Sequence, residues 1–135
     1  MDCVGLVCSE SCGDGRNMGI NECDDGNTIS GDGCDNNCNV ELGWSCGTGS
    51  FAKFDLCFEV CGDGRHIMLP CDDGNNYSGD GCSGNCTIEY GYTCSGGTLY
   101  GPDTCSEKCG DGFNIGLLPC DDGNNIDLDG CSSTC

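Results

Sequence analysis

Apolar residues in this chain come in scraps. No window keeps them at helical spacing, and no alternating run is long enough for an extended half-buried strand. The short apolar pieces are 18–20, 67–69 and 115–118, which are expected to form brief strands or single helical turns lying under a covalent frame. Between them stand 25 glycines and repeated Asp-Gly and Asn-rich punctuation, the residues of turns. Segments 47–56 and 95–104 differ most between otherwise parallel stretches. They hold Phe51, Phe54, Leu99 and Tyr100, and read as variable loops.

The polar punctuation is periodic. Cys-Gly-Asp-Gly begins at Cys12, Cys61 and Cys109, a spacing of 49 and then 48 residues. Each is followed by Cys-Asp-Asp-Gly-Asn (from Cys23, Cys71 and Cys120), then Asp-Gly-Cys (ending at Cys34, Cys82 and Cys131) and a further cysteine (Cys38, Cys86 and Cys135). A period of this length marks an array of small modules. The expected organisation is residues 1–11 as the end of a preceding repeat, 12–60 as repeat one, 61–108 as repeat two, and 109–135 as a truncated third. The incomplete third unit and the absence of a leader-like start point to a mature form or a fragment.

Composition decides how such modules hold together. Leu, Ile, Val and Phe total 22 of 135 residues, about 16%, which with high net charge normally means disorder. The 18 cysteines reverse that expectation. Each disulfide contributes about 2–4 kcal/mol, enough to replace a core that a 48-residue unit cannot build. The expected architecture is a small disulfide-rich repeat array, mostly turns and loops with short β-strands, drawn out as an elongated rod. Its chemistry requires an oxidising, extracellular or cell-surface location.

Repeat one adds Cys46 and Cys57 to its first four cysteines, and repeat two adds Cys94 and Cys105. Cys3 and Cys8 take the place of a last pair before Cys12. If the fifth and sixth cysteines bond to each other, Cys3–Cys8 closes on itself and the first four of each repeat close among themselves. Of the three connectivities open to four cysteines, first to third with second to fourth is the one expected.

The charge of −19 excludes nucleic acid as the main partner, and no stretch inserts directly into a membrane. Thirteen of the 23 acids lie in the repeated motifs. Ca2+ takes six to eight oxygens. The candidate ligands are Asp14, Asp24, Asp25, Asn27 and Asp32; Asp63, Asp72, Asp73, Asn75 and Asp80; and Asp111, Asp121, Asp122, Asn124 and Asp129. Asp127 is an extra acid, and Glu10, Glu59 and Glu107 recur two residues before each Cys-Gly-Asp-Gly. Crowded carboxylates repel, and a divalent cation removes the penalty. The plainer alternative is that Asp, Asn and Gly simply form turns.

Glu41-Leu-Gly-Trp44-Ser-Cys46 and Glu89-Tyr-Gly-Tyr92-Thr-Cys94 complete the motif set, with the glycine at a bend and the ring packing over a disulfide or a neighbouring module. Taken together, CGDG, CDDGN, GDGC-x3-C and E-x-G-W/Y-x-C resemble the Myxococcus cysteine-rich repeat of bacterial and protist surface proteins. The similarity to Lin-12/Notch repeats, which are small and calcium-dependent, is fainter. Leu128 and Asp127 depart from the pattern, standing where the other units have glycine and serine. The resemblance implies a secreted or surface array and supplies no activity.

Three other chemistries bear on these residues. Cys-x3-Cys spacing suits zinc, but there is one histidine, His66, and no Cys-x2-Cys. Catalysis is not expected: His66 reads as a surface residue, and the acids sit in equivalent settings where acid–base work needs unlike ones. Asn76-Tyr77-Ser78 and Asn85-Cys86-Thr87 make Asn76 and Asn85 candidate glycosylation sites. The functional expectation is a calcium-stabilised structural rod that self-associates into an array or head-to-tail filament. The alternative is a recognition module binding a protein or glycan through residues 47–56 and 95–104.

Overall fold

The computed structural model describes the backbone of residues 2–4 and 7–135, and side chains from Ser9 onward. Among the described residues there is no helix; three antiparallel two-stranded hairpins stand among turns and bends. These are β1 (Asp2–Val4) with β2 (Val7–Ser9), β3 (Trp44–Gly47) with β4 (Leu56–Glu59), and β5 (Tyr92–Ser95) with β6 (Thr104–Glu107). The chain divides into two compact units, Met1–Val60 and Cys61–Cys135.

Each full hairpin is stapled through its own register. Cys46 lies opposite Cys57 and Cys94 opposite Cys105, and both pairs are bonded. Aromatic and β-branched residues such as Trp44, Phe58, Tyr92 and Thr104 suit these strands. The backbone of Cys3 likewise faces Cys8. Their expected disulfide falls on side chains outside the described residues.

The first four cysteines form a nested knot in each repeat. Cys23–Cys34, Cys71–Cys82 and Cys120–Cys131 close inner loops. Cys12–Cys38, Cys61–Cys86 and Cys109–Cys135 enclose them. This corrects the expected first-to-third, second-to-fourth pairing. Inside the inner loop of repeat one Asn27 Nδ2 donates to Asp32 Oδ2 at 2.9 Å, a contact compatible with the loop closing on its own two ends. The chain then reverses at Cys38, which has a positive φ of 57° and whose carbonyl accepts from Cys23 N.

Sulfur is the core. Cys23, Cys34 and Cys38 are buried together, with Cys12, Val40, Cys46 and Cys57 packed against them. Cys71, Cys82 and Cys86 repeat the cluster, with Cys61, Leu69, Cys94 and Cys105. The expectation that the short apolar pieces become strands or helical turns under the disulfides does not hold. They are bends, and Met18, Ile20, Met68, Ile115 and Leu117 are exposed. Of these segments, Leu69 is the residue that packs on a buried cluster.

Candidate functional site

A buried carboxylate organises each knot. Asp24 and Asp72 are fully buried, and among the described residues neither forms a salt bridge. Burial of an ionised carboxylate is tolerated only when its oxygens are hydrogen-bonded. Asp24 accepts from the N–H groups of Gly13 (2.9 Å), Gly15 (2.8 Å) and Gly26 (3.0 Å). Asp72 accepts from Gly62, Gly64 and Gly74, and Asp121 from Gly110, Gly112 and Gly123. The Cys-Gly-Asp-Gly loop is therefore a nest of amides wrapped round the first Asp of the next motif.

A second carboxylate, from the hairpin, holds the first. Asp55 N–H donates to the Asp24 carbonyl at 2.7 Å, and Asp24 N–H returns a bond to Asp55 Oδ2 at 3.0 Å. Gly49 N–H binds the other oxygen of Asp55, and Asn17 Nδ2 donates to Oδ2. Repeat two copies this with Asp103, the Asp72 backbone and Gly97. His66 takes the place of Asn17, its Nδ1 lying 2.5 Å from Asp103 Oδ2. The histidine read as a surface residue is thus half-buried against an acid. Burial pushes the Asp103 carboxyl up, but the Asp72 and Gly97 amides and the His66 charge outweigh it and hold the pKa below the ordinary value. Asp55 is lowered in the same way by Asn17, Asp24 and Gly49 against its own burial.

Glutamates clamp the remaining loops. Glu41 Oε2 accepts from Gly31 and Gly33 N–H, and Glu89 Oε2 from Gly79 and Gly81. Glu10 takes the amides of Met18, Ile20 and Asn21, and Glu107 those of Ile115, Leu117 and Leu118. The ring of the Glu-x-Gly-aromatic motif seats as expected, beside the hairpin cystine. A Cβ at Gly33 would meet Trp44 Cε3 at 2.9 Å and run into Cys57 as well, and Gly81 stands likewise against Tyr92 and Cys105. At φ of 114° and 115° both positions also require glycine for their backbone.

The fifteen residues expected to ligate calcium do not gather round one point in any repeat. Asp24, Asp72 and Asp121 are saturated by backbone amides. Asp14, Asp63 and Asp111 close two-residue turns on the N–H groups of Arg16, Arg65 and Phe113. The side-chain oxygens of Asn27, Asn75 and Asn124 accept from Ile29, Tyr77 and Ile126, while their amides donate to Asp32, Asp80 and Asp129. Asp127 accepts from Ser133 N–H at 2.7 Å. Among the described residues no three acidic, histidine or cysteine side chains converge as a metal site.

One pair in each repeat remains close. Burial, reinforced by the Asp32 charge, raises the Asp25 pKa despite a bond from Asn27 N–H; Asp73 is raised by burial and Asp80 in the same way. In repeat one Asp32 Oδ1 is buried with no partner. The pair in repeat one thus keeps one carboxylate oxygen to which no protein group donates.

Sequence reasoning missed Asp55 and Asp103 altogether. Their signal was present as Asp-x-Cys at Asp55-Leu-Cys57 and Asp103-Thr-Cys105. The zinc alternative fails on the described cysteines, none of which is free. Asn76 and Asn85 are both exposed, and Cys86 within the second sequon is bonded to Cys61.

Comparison with known proteins agrees with a cysteine-rich repeat. No curated protein and no solved structure matches this chain. A family described as a domain of unknown function, DUF4215, matches residues 1–39 and 91–135, each stretch running from a hairpin through the knot that follows it. With well over half of its residues matched, the chain belongs to the DUF4215 family.

Proposed function

We propose that this chain is an extracellular, non-catalytic structural repeat, a chemically locked spacer or surface rod. The observation that carries this reading is the inverted interior. Cystines and hydrogen-bonded carboxylates are buried, while large apolar side chains such as Ile29, Phe58 and Tyr90 lie outside. Eight disulfides suit an oxidising compartment. No helix of the described residues is long and apolar enough to cross a membrane. The resemblance to the Myxococcus repeat supports the surface location. The test is melting and limited proteolysis with and without reductant. The oxidised chain is expected to stay protease-resistant and the reduced chain to unfold; equal behaviour of the two overturns the reading.

Calcium enters this proposal at the Asp25–Asp32 and Asp73–Asp80 pairs, where carboxylate repulsion supports it. Two protein carboxylates leave most of the ion's coordination to water, so binding is weak. Glycans on Asn76 and Asn85 fit the same surface role. Intact mass before and after glycosidase treatment measures their occupancy. Self-association into an array or filament is the assembly step of the proposal.

The exposed tips of the variable loops favour a second reading, a recognition module. Phe51 and Tyr100 are 72% and 86% exposed on tight turns closed by Ser50–Lys53 and Thr98–Gly101. Binding to a protein or glycan that Phe51→Ala and Tyr100→Ala abolish without changing the melting temperature supports this second reading. Undiminished binding removes it.

A further inference from the structure

The repeated motifs carry a chemical liability that the fold holds in check. At an Asp-Gly step the glycine nitrogen can attack the aspartate Cγ. An N–Cγ bond forms, the amide proton leaves with the carboxyl hydroxyl as water, and a five-membered succinimide results. Water then reopens it at either carbonyl, giving aspartate or isoaspartate, whose backbone is one methylene longer. Glycine obstructs this attack least, having no Cβ and the widest backbone freedom. The chain has nine Asp-Gly steps, whereas none of its twelve asparagines precedes glycine. In repeats one and two the glycine N–H of all six steps is held by the carboxylate of another residue. Asp24 Oδ1 accepts from Gly15 at 2.8 Å and Gly26 at 3.0 Å, and Asp72 Oδ1 from Gly64 and Gly74, both at 2.9 Å. Glu41 Oε2 accepts from Gly33 at 3.0 Å and Glu89 Oε2 from Gly81 at 2.9 Å. The carboxyl that would be attacked is occupied too. Asp14, Asp25, Asp63 and Asp73 accept from the N–H two residues on, and Asp32 and Asp80 from Asn27 and Asn75 Nδ2.

We propose that these carboxylates guard the backbone chemically, and that isoaspartate at the six Asp-Gly steps is the modification that marks a knot once it opens. Attack requires the glycine nitrogen to give up its proton and turn onto Cγ. Both changes break the hydrogen bond to the guard. Deprotonation also creates an anion facing a carboxylate, a like-charge pair that costs free energy. Burial sharpens this for Asp24 and Asp72, which are shut off from water and each hold two steps. The third step of each repeat depends on one glutamate, which makes it separable from the other two. The guards are not reactive steps themselves: Asp24 and Asp72 precede aspartate, Glu41 leucine and Glu89 tyrosine. Modification therefore waits for local opening.

This inference goes beyond the structural reading and is decided separately, because its test leaves every cystine intact. The oxidised chain is held at neutral pH in heavy-oxygen water, below its melting transition, beside short synthetic peptides spanning each step. Succinimide turnover then labels the site, and peptide mapping by electron-transfer fragmentation separates aspartate from isoaspartate. Isoaspartate is expected at all six steps in the peptides, and to form roughly tenfold or more slowly in the folded chain, where attack waits for local opening. Glu41→Ala is expected to bring Asp32–Gly33 up towards its peptide rate, while Asp80–Gly81 and the two steps held by Asp24 stay protected in the same molecule. Folded and peptide steps ageing at equal rates overturn the proposal. So does a Glu41→Ala chain in which Asp32–Gly33 stays as slow as before. A rise at all three steps of repeat one together overturns it as well, because the integrity of the whole repeat, and not each carboxylate, would then set the rate.

Discussion

The first and third repeats carry the same knot in different surroundings. In both, an aspartate gathers three glycine amides, and nested cystines tie the loops. Under its hairpin, Asp24 is fully buried; without one, Asp121 is half-buried and Cys120 with it. The difference separates two jobs. Disulfides and amide nests fix the path of the chain, and the hairpin removes that polar hub from water. A carboxylate with three N–H donors in a dry site exerts far more leverage than the same group near solvent.

The largest expected effect tests that leverage. Asp24→Ala and Asp72→Ala remove a buried carboxylate and strip the partners from three part-buried amides each, and should destabilise their repeats by about 3–5 kcal/mol. Asp121→Ala should perturb its knot clearly less. Amide-resolved urea unfolding of each variant measures the contrast. Equal losses in all three repeats would mean that cover contributes nothing.

Next in size is the hairpin's own acid. Asp103→Ala leaves the Asp72 and Gly97 amides and His66 unmatched, and should cost about 2–3 kcal/mol in repeat two. His66→Asn recreates the Asn17 arrangement and should be nearly neutral at pH 7, as the same unfolding assay will show.

Acid should loosen the covered repeats through these groups. Asp55 and Asp103 have folded pKa values below the ordinary one, so the unfolded chain binds more protons as pH falls past about 4. Their stabilisation is complete above the unfolded value and disappears as pH falls through the folded one. Asp25 and Asp73 have the opposite sign. Raised in the fold, they weaken it at neutral pH and are relieved by protonation. Melting temperature should therefore change little between pH 7 and 5 and fall below pH 4, less steeply in Asp103→Asn.

How much of this was legible follows from where the signals sit. The fifth-to-sixth pairing could be read because it lets the first four cysteines of every unit close among themselves. The nesting of the other four could not, since four cysteines in one unit are satisfied equally by all three connectivities. Acids at two-residue turns were legible as turn formers, and their crowding read equally well as a cation cage. The first Asp of each pair is already saturated only because the folded Cys-Gly-Asp-Gly loop turns its amides onto it. Asp55 and Asp103 were hidden because their loops differ almost everywhere else. The apolar scraps misled because burial here is assigned to sulfur.

The third repeat also carries a local strain of its own. Leu128 has a φ of 78°, where Gly31 and Gly79 occupy the same turn. A branched side chain there is disfavoured by about 1–2 kcal/mol, part of which glycine's greater unfolded-state entropy cancels. Leu128→Gly should stabilise the third knot by about 0.5–1 kcal/mol, read by hydrogen exchange at its slowest amides. No gain would mean that glycine's unfolded-state entropy cancels the strain in full.

The smallest effect separates repulsion from ion binding at the close acid pair. Asp25→Asn removes one charge facing Asp32 and should raise stability at pH 7 by a few tenths of a kcal/mol, because the pair is partly solvated and screened. If a cation sits between the two carboxylates, the same variant should lose the wild-type increase in melting temperature on adding millimolar calcium. The two outcomes have opposite signs once calcium is present. Relief of repulsion alone leaves the variant ahead of wild type in calcium as in chelator, whereas ion binding puts wild type ahead in calcium and behind in chelator. Thermal melts of both proteins in calcium and in chelator therefore decide whether the acids of this family are turn formers alone or also hold an ion.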